Sequence, residues 1–141
     1  MKEKLKDQRG ASMVEFAFVL PLLILLVFGI IEFGLLLYNK AVLTNASREG
    51  ARKGVVSQDP RVRDPEIKTV VKNYCQNYVV TFGSDICADA NIDVLPTDPR
   101  DSLTSNDYLT VTVRYRYDFL VIPSSITGPI NFMAVTRMKM E

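Results

Sequence analysis

The side chains able to do chemistry in this sequence are few, and most of the arrangements they could form are broken by a missing member. There is no histidine, which removes Ser–His and Cys–His nucleophile pairs, His-bearing zinc sites and the usual proton shuttle near neutral pH. Asp89, Asn91 and Asp93 stand where a calcium loop places its first three ligands. The loop then needs a glycine and, at its twelfth position, a bidentate glutamate, and the chain has Val94 and Arg100 there. These polar residues read instead as one face of a strand whose other face carries Ile92 and Val94. Arg114, Tyr115, Arg116 and Tyr117 interleave base and aromatic as nucleic-acid surfaces do, yet strand alternation sends the arginines to one face and the tyrosines to the other. A net charge of +1, from 17 Lys+Arg against 16 Asp+Glu, provides no global field to gather nucleic acid or acidic substrates. No phosphate-cradling or dinucleotide-binding glycine pattern occurs among the 7 glycines. The expectation is a protein without a catalytic, cofactor or metal site, not an enzyme and not a nucleic-acid binder.

Glu15 and Glu32 are the unusual charges, because both sit in or beside an apolar segment. From Phe16 to Tyr38, 23 residues, Glu32 is the only charge. At about 1.5 Å of rise per residue a helix over this stretch is roughly 35 Å long, slightly more than the ~30 Å hydrocarbon core. It is apolar on every side, so it lacks the single stripe of a surface helix and must be surrounded by lipid or protein. A chain of 141 residues and 15.9 kDa has too little else to wrap it as a buried core helix. Pro21 removes a backbone donor and crowds the carbonyl of Ala17, which predicts a kink or a loosened turn. Glu32 lies about 9 Å of helix rise before Tyr38, deep enough that it should face protein, as a contact to a partner helix during assembly, or snorkel to the outer interface.

The segment is preceded by MKEKLKDQRG, a short charged leader ending in Gly10, and followed by Lys40, Arg48, Arg52 and Lys53. The count of flanking cations is therefore nearly tied between the two sides. The very short leading tail, and a C-terminal part long enough to be a translocated domain, favour a cytoplasmic N-terminus. The segment exceeds a secretory h-region and no small-x-small cleavage pattern closes it, so the span should be retained.

The junction after Gly10 resembles the prepilin leader of type IV and Flp-type pilins, with Glu15 in the fifth place after the glycine. The match continues through Glu15-Phe16, Leu20-Pro21, the run Gly29 to Gly34, and Asn45-Ala46-Ser47-Arg48-Glu49-Gly50-Ala51-Arg52. Over about its first 55 residues the sequence is similar to the TadE-like family, minor pilins or pseudopilins of the tight-adherence (Tad/Flp) pilus system. The resemblance implies cleavage by a prepilin peptidase between Gly10 and Ala11, and an assembly contact through Glu15. It implies as partners membrane lipid, other pilins or pseudopilins and the Tad secretion machinery. The place it implies is the bacterial cytoplasmic membrane, crossed once, with the N-terminus cytoplasmic and the C-terminal domain outside, and incorporation in the pilus is left open. Major Flp pilins are much shorter and place tyrosine after the glutamate. Phe16 and the long C-terminal region therefore indicate a minor subunit.

Beyond the membrane the helix is expected to continue to about residue 56. Ala46, Gly50 and Gly54 recur every fourth position and form a stripe of small side chains against which another segment can pack closely; the alternative is fraying into a glycine-containing linker. Asn45-Ala46-Ser47 fits the N-glycosylation pattern, read as coincidence in a bacterial helix. Residues 57–65 are a polar, proline-punctuated link. Asp64 is placed as an N-cap with Pro65 at the first helical position, and Ile67, Val70, Val71, Tyr74 and Tyr78 follow helical spacing. Leu109 to Phe119 alternate with Tyr108 to Asp118 as the best strand, with a shorter strand near Ile92 to Leu95 and another near Phe132 to Met140; Ile122-Pro123 and Gly128-Pro129 punctuate the connection from the best strand to the last. The fold class is α+β: residues 1–10 as leader, 11–56 as transmembrane and extended helix, and 66–141 as an extracytoplasmic domain in which a helix covers an antiparallel sheet, as in pilins. Outside the cytoplasm Cys75 and Cys87 would close a short loop by a disulfide; the alternative is two buried thiols. Two functions are left: a minor pilin in fibre assembly, and a single-pass anchored binding or sensing protein. Cleavage after Gly10 separates them.

Overall fold

The computed structural model describes residues 3–56, 60–80, 87–99, 102–119 and 128–141, with side chains from residue 10 onward. The elements are helix α1 (Glu3–Val55), helix α2 (Asp64–Tyr78), a single 3-10 turn (Asp89–Asn91), and strands β1 (Ile92–Leu95), β2 (Tyr108–Tyr117) and β3 (Ile130–Lys139). The strands form one antiparallel sheet in the order β1-β2-β3. This is the α+β arrangement expected from the sequence, with a long apolar N-terminal helix. β2 ends at Tyr117, two residues before the alternation does, and β3 starts two residues early at Ile130. Gly128, at φ +67°, takes the left-handed conformation open to glycine at little cost as the chain enters β3. Ile122 and Pro123, expected in the same connection, lie outside the described residues.

The chain divides into two compact units, Met1–Gly34 and Leu35–Glu141. In the first, the large apolar side chains from Met13 to Phe33 are exposed, Phe18 to 79% and Leu25 to 72%. Leaving that much apolar surface in water is strongly unfavourable, and a hydrocarbon surrounding removes the penalty. Among the described residues this is one helix long and apolar enough to cross a membrane. The helix runs on without a break through Pro21. Glu32 departs from its neighbours by being buried, at 5% exposure.

The second unit has an ordinary core. Leu43, Ala46, Ala51 and Val55 of α1 meet Ile67, Val71 and Cys75 of α2 and Ile92, Val94, Leu109, Val111 and Val113 of the sheet. Alternation along β2 puts Leu109, Val111, Val113, Tyr115 and Tyr117 inward, as the period-2 pattern requires. The distal part of α1 is thus a core element of this unit and not a spacer between an anchor and a domain that begins at 66.

The start of α2 differs from expectation in one respect. Asp64 is already inside the helix, Arg63 occupies the N-cap without a side-chain cap bond, and Pro65 sits in the first turn. The capping acceptor comes from elsewhere: Asp64 N–H donates to Asp98 Oδ2 at 2.8 Å, and Asp98 N–H returns a bond to Asp64 Oδ2 at 3.5 Å. A carboxylate at a helix N-terminus is favoured by the orphan N–H groups and the macrodipole. Here it is supplied across 34 residues of sequence, which no local pattern reveals.

Candidate functional site

The Gly10 junction lies within α1, where Gly10, Ala11 and Glu15 are all exposed. Among the described residues, nothing beyond the helix's own backbone stands within 4 Å of where a Gly10 Cβ would be. Glycine also weakens the helix locally by about 0.5–1 kcal/mol relative to alanine. Ala11 and Glu15 are four residues apart, hence neighbours on one face of the helix. Glu32, seventeen positions further on, is buried.

The small-residue stripe is occupied from within the chain. A Cβ at Gly50 would run into Val71 Cγ2 and lie 3.5 Å from Ile67 Cγ2. One at Gly54 would run into Leu109 Cδ2 and come within 2.6 Å of Ile67 Cδ1. Ala46 is fully buried in the same core. The segments that approach closely are therefore α2 and β2 of this chain.

Two polar residues on the same part of α1 are fully buried, and both are tied across the unit. Asn39 Nδ2 donates to the Val80 carbonyl at 2.8 Å, and Val80 N–H donates to Asn39 Oδ1 at 3.1 Å. Both ends of the amide are used, so the chain leaving α2 is held to α1. Ser47 donates to the Thr44 carbonyl at 2.9 Å, which leaves its oxygen to accept from Thr136 Oγ1 of β3 at 2.7 Å. Burial raises the Tyr115 hydroxyl above its ordinary pKa, against a hydrogen bond with Asn39 that lowers it and with the Asp118 charge adding to the rise. The polar surface of α1 is held differently: Arg52 Nη2 and Nε reach Glu49 at 2.6 and 3.1 Å, and this bond holds the Glu49 carboxyl below its ordinary value. Neither Asn39 nor the Ser47–Thr136 pair is marked by sequence pattern. A polar residue interrupting the inward face of a helix is the one signal they leave.

Cys75 of α2 is joined to Cys87 ahead of the 3-10 turn, with Cα atoms 6.2 Å apart, inside the range a disulfide spans. Closing a loop of this length contributes about 3 kcal/mol in the chain-entropy account. Among the described residues no cluster of three or more acidic or cysteine side chains could hold a metal ion. Asp89 begins the 3-10 turn and Asp93 lies in β1, on the outward side opposite Thr112. Asp93 is engaged by Arg114 at 2.5 Å.

Searches against curated proteins and against solved structures find no match to this chain. A family model does match, that of TadE-like protein, over residues 10–52. The matched stretch opens at Gly10, takes in Glu15, Glu32, Asn39 and the block from Asn45 to Arg52, and stops before α2. Its apolar part is exposed and its distal part is core, so a single helix carries both the membrane-compatible surface and part of the core of the second unit. Over Gly10 to Arg52 this chain is similar to TadE-like protein, and the helix that carries the match is consistent with a protein of the Tad pilus system.

Proposed function

We propose that the protein is a minor pilin, or pseudopilin, that takes part in building a Tad/Flp-type adhesive pilus after a prepilin peptidase cuts between Gly10 and Ala11. The observation that carries this reading is the charged leader ending at Gly10, where the TadE-like match begins, set directly against the apolar helix with Glu15 one turn beyond. Cleavage would free the α-amine of Ala11 at the start of a helix, four residues from a carboxylate. A carboxylate at the membrane edge is costly unless paired. That amine, on the same chain or a neighbouring pilin, is a partner of opposite charge in a low-dielectric setting. The helix from Ala11 would then lie in the cytoplasmic membrane, and the unit it supports would stand outside, where the Cys75–Cys87 bond is chemically at home. The protein acts by packing against other pilins and the secretion machinery, without catalysis. N-terminal sequencing of protein extracted from membranes with an active prepilin peptidase tests the reading. The expected first residue is Ala11; an intact leader at the N-terminus refutes it.

A further inference from the structure

The outward face of the sheet plays no part in the assembly reading, and its composition is not that of an idle surface. With Leu109 to Tyr117 pointing inward at odd positions, β2 turns Arg114 and Arg116 outward. The register places Met133 across from Arg114, Asn131 across from Arg116, Arg137 across from Thr110 and Lys139 across from Tyr108. Two arginines that alternation separates from their tyrosine neighbours thus join cations of another strand. Arg114, Arg116, Arg137 and Lys139 stand on this face against Asp93 and Asp118. At one end Arg114, Arg116, Asn91, Asn131 and Met133 border a half-open cleft of about 350 Å3.

We propose that this cleft binds a uronate unit of an acidic polysaccharide, with the glycan chain continuing along the face toward Arg137 and Lys139. Arg114 is held by Asp93 at 2.5 Å, which orients its guanidinium and leaves further N–H groups for a ligand. Arg116 is only 3.6 Å from Asp118, with both side chains largely in water. Such a pair is weak and gives way to a carboxylate that can engage the guanidinium fork with two hydrogen bonds. Asn131 brings an amide group able to donate to and accept from sugar hydroxyls. Met133, 61% exposed, offers apolar surface to the C–H side of a sugar ring. The four-to-two excess of cations favours an acidic chain over a neutral one. Base stacking finds little here: Tyr115 and Phe132 also border the cleft, but they belong to the inward rows and their rings stack on each other against the core, and Arg137 covers the ring of Tyr108 at 4.0 Å.

The inference does not depend on pilus assembly, since the cleft belongs to the outer unit of a single chain. Full-length protein in detergent micelles is titrated with pentagalacturonate, and in parallel with neutral maltopentaose, inorganic phosphate and a short DNA duplex. The expected result is saturable binding of pentagalacturonate, reduced about tenfold or more by R116Q or N131A through loss of a charge-assisted or amide contact. K139Q should give a smaller loss, and R52Q, on the far helix, none. Should R116Q unfold, N131A carries the test. Equal binding of maltopentaose, displacement by equimolar phosphate, tighter binding of DNA, absence of saturable binding, or unchanged affinity in both R116Q and N131A overturns the proposal.

Discussion

Glu15 is the residue at which an anchor and an assembly helix make opposite demands. An anchor gains from losing a carboxylate near the membrane edge, because the desolvation penalty goes with it. An assembly helix that pairs the carboxylate with a neighbouring amine loses a charge-assisted contact and leaves the amine unmatched. Under the pilin reading, Glu15→Ala should reach the membrane at normal level, be cleaved after Gly10, and yet fail to support fibres or co-purify with partner pilins in a complemented deletion strain. Normal fibres from the mutant would remove Glu15 from the assembly mechanism.

At the scale of elements, the decisive feature is how closely the distal part of α1 approaches α2 and β2. Glycine in a helix interior costs up to about 1 kcal/mol against alanine, so Gly50 and Gly54 sacrifice helix stability for proximity. Their missing side chains are where Val71, Ile67 and Leu109 sit. Gly50→Leu should therefore destabilise the second unit by about 2–3 kcal/mol through overpacking, despite its better helix propensity. The measurement is chemical denaturation of that unit followed through its tyrosines. A Gly50→Leu protein as stable as the parent would show that the helices can separate without loss. The Asn39–Val80 and Ser47–Thr136 bonds act in the same direction, since unpairing a buried donor or acceptor costs about 1–3 kcal/mol.

For the whole molecule, the boundary between units falls inside the helix, at Gly34 and Leu35, and not in the proline-rich link. Four core residues of the second unit, Leu43, Ala46, Ala51 and Val55, come from α1. A fragment beginning at Leu35 should unfold cooperatively on heating with the disulfide intact, whereas one beginning at Pro60 should show no cooperative transition by circular dichroism. Cooperative folding of the shorter fragment would contradict the shared core. The same division bears on topology. If residues beyond about 40 stand outside the cytoplasmic membrane, protease added to intact spheroplasts should digest that unit, and its full protection would reverse the proposed orientation.

The features legible in the sequence are those carried by local pattern. The uninterrupted apolar run declared a membrane-compatible helix, period-2 alternation declared β2 and which of its residues point inward, and Asp64-Pro65 located the start of α2 to within a residue. The Gly10 junction and the signature up to Arg52 likewise sit in one continuous stretch, which is why the resemblance was legible there. What stands opposite each face emerged with the folded chain. It showed that Gly50 and Gly54 receive Val71, Ile67 and Leu109, that Asp98 caps α2, and that Asn39 holds Val80 41 residues away. It also brought Arg114 and Arg116 together with Asn131, Arg137 and Lys139 on one outer face. The physical reason is that periodicity sets the direction of a side chain relative to its own element. Which distant element meets it depends on register and packing across the whole chain, and there the residues in contact are not neighbours in sequence.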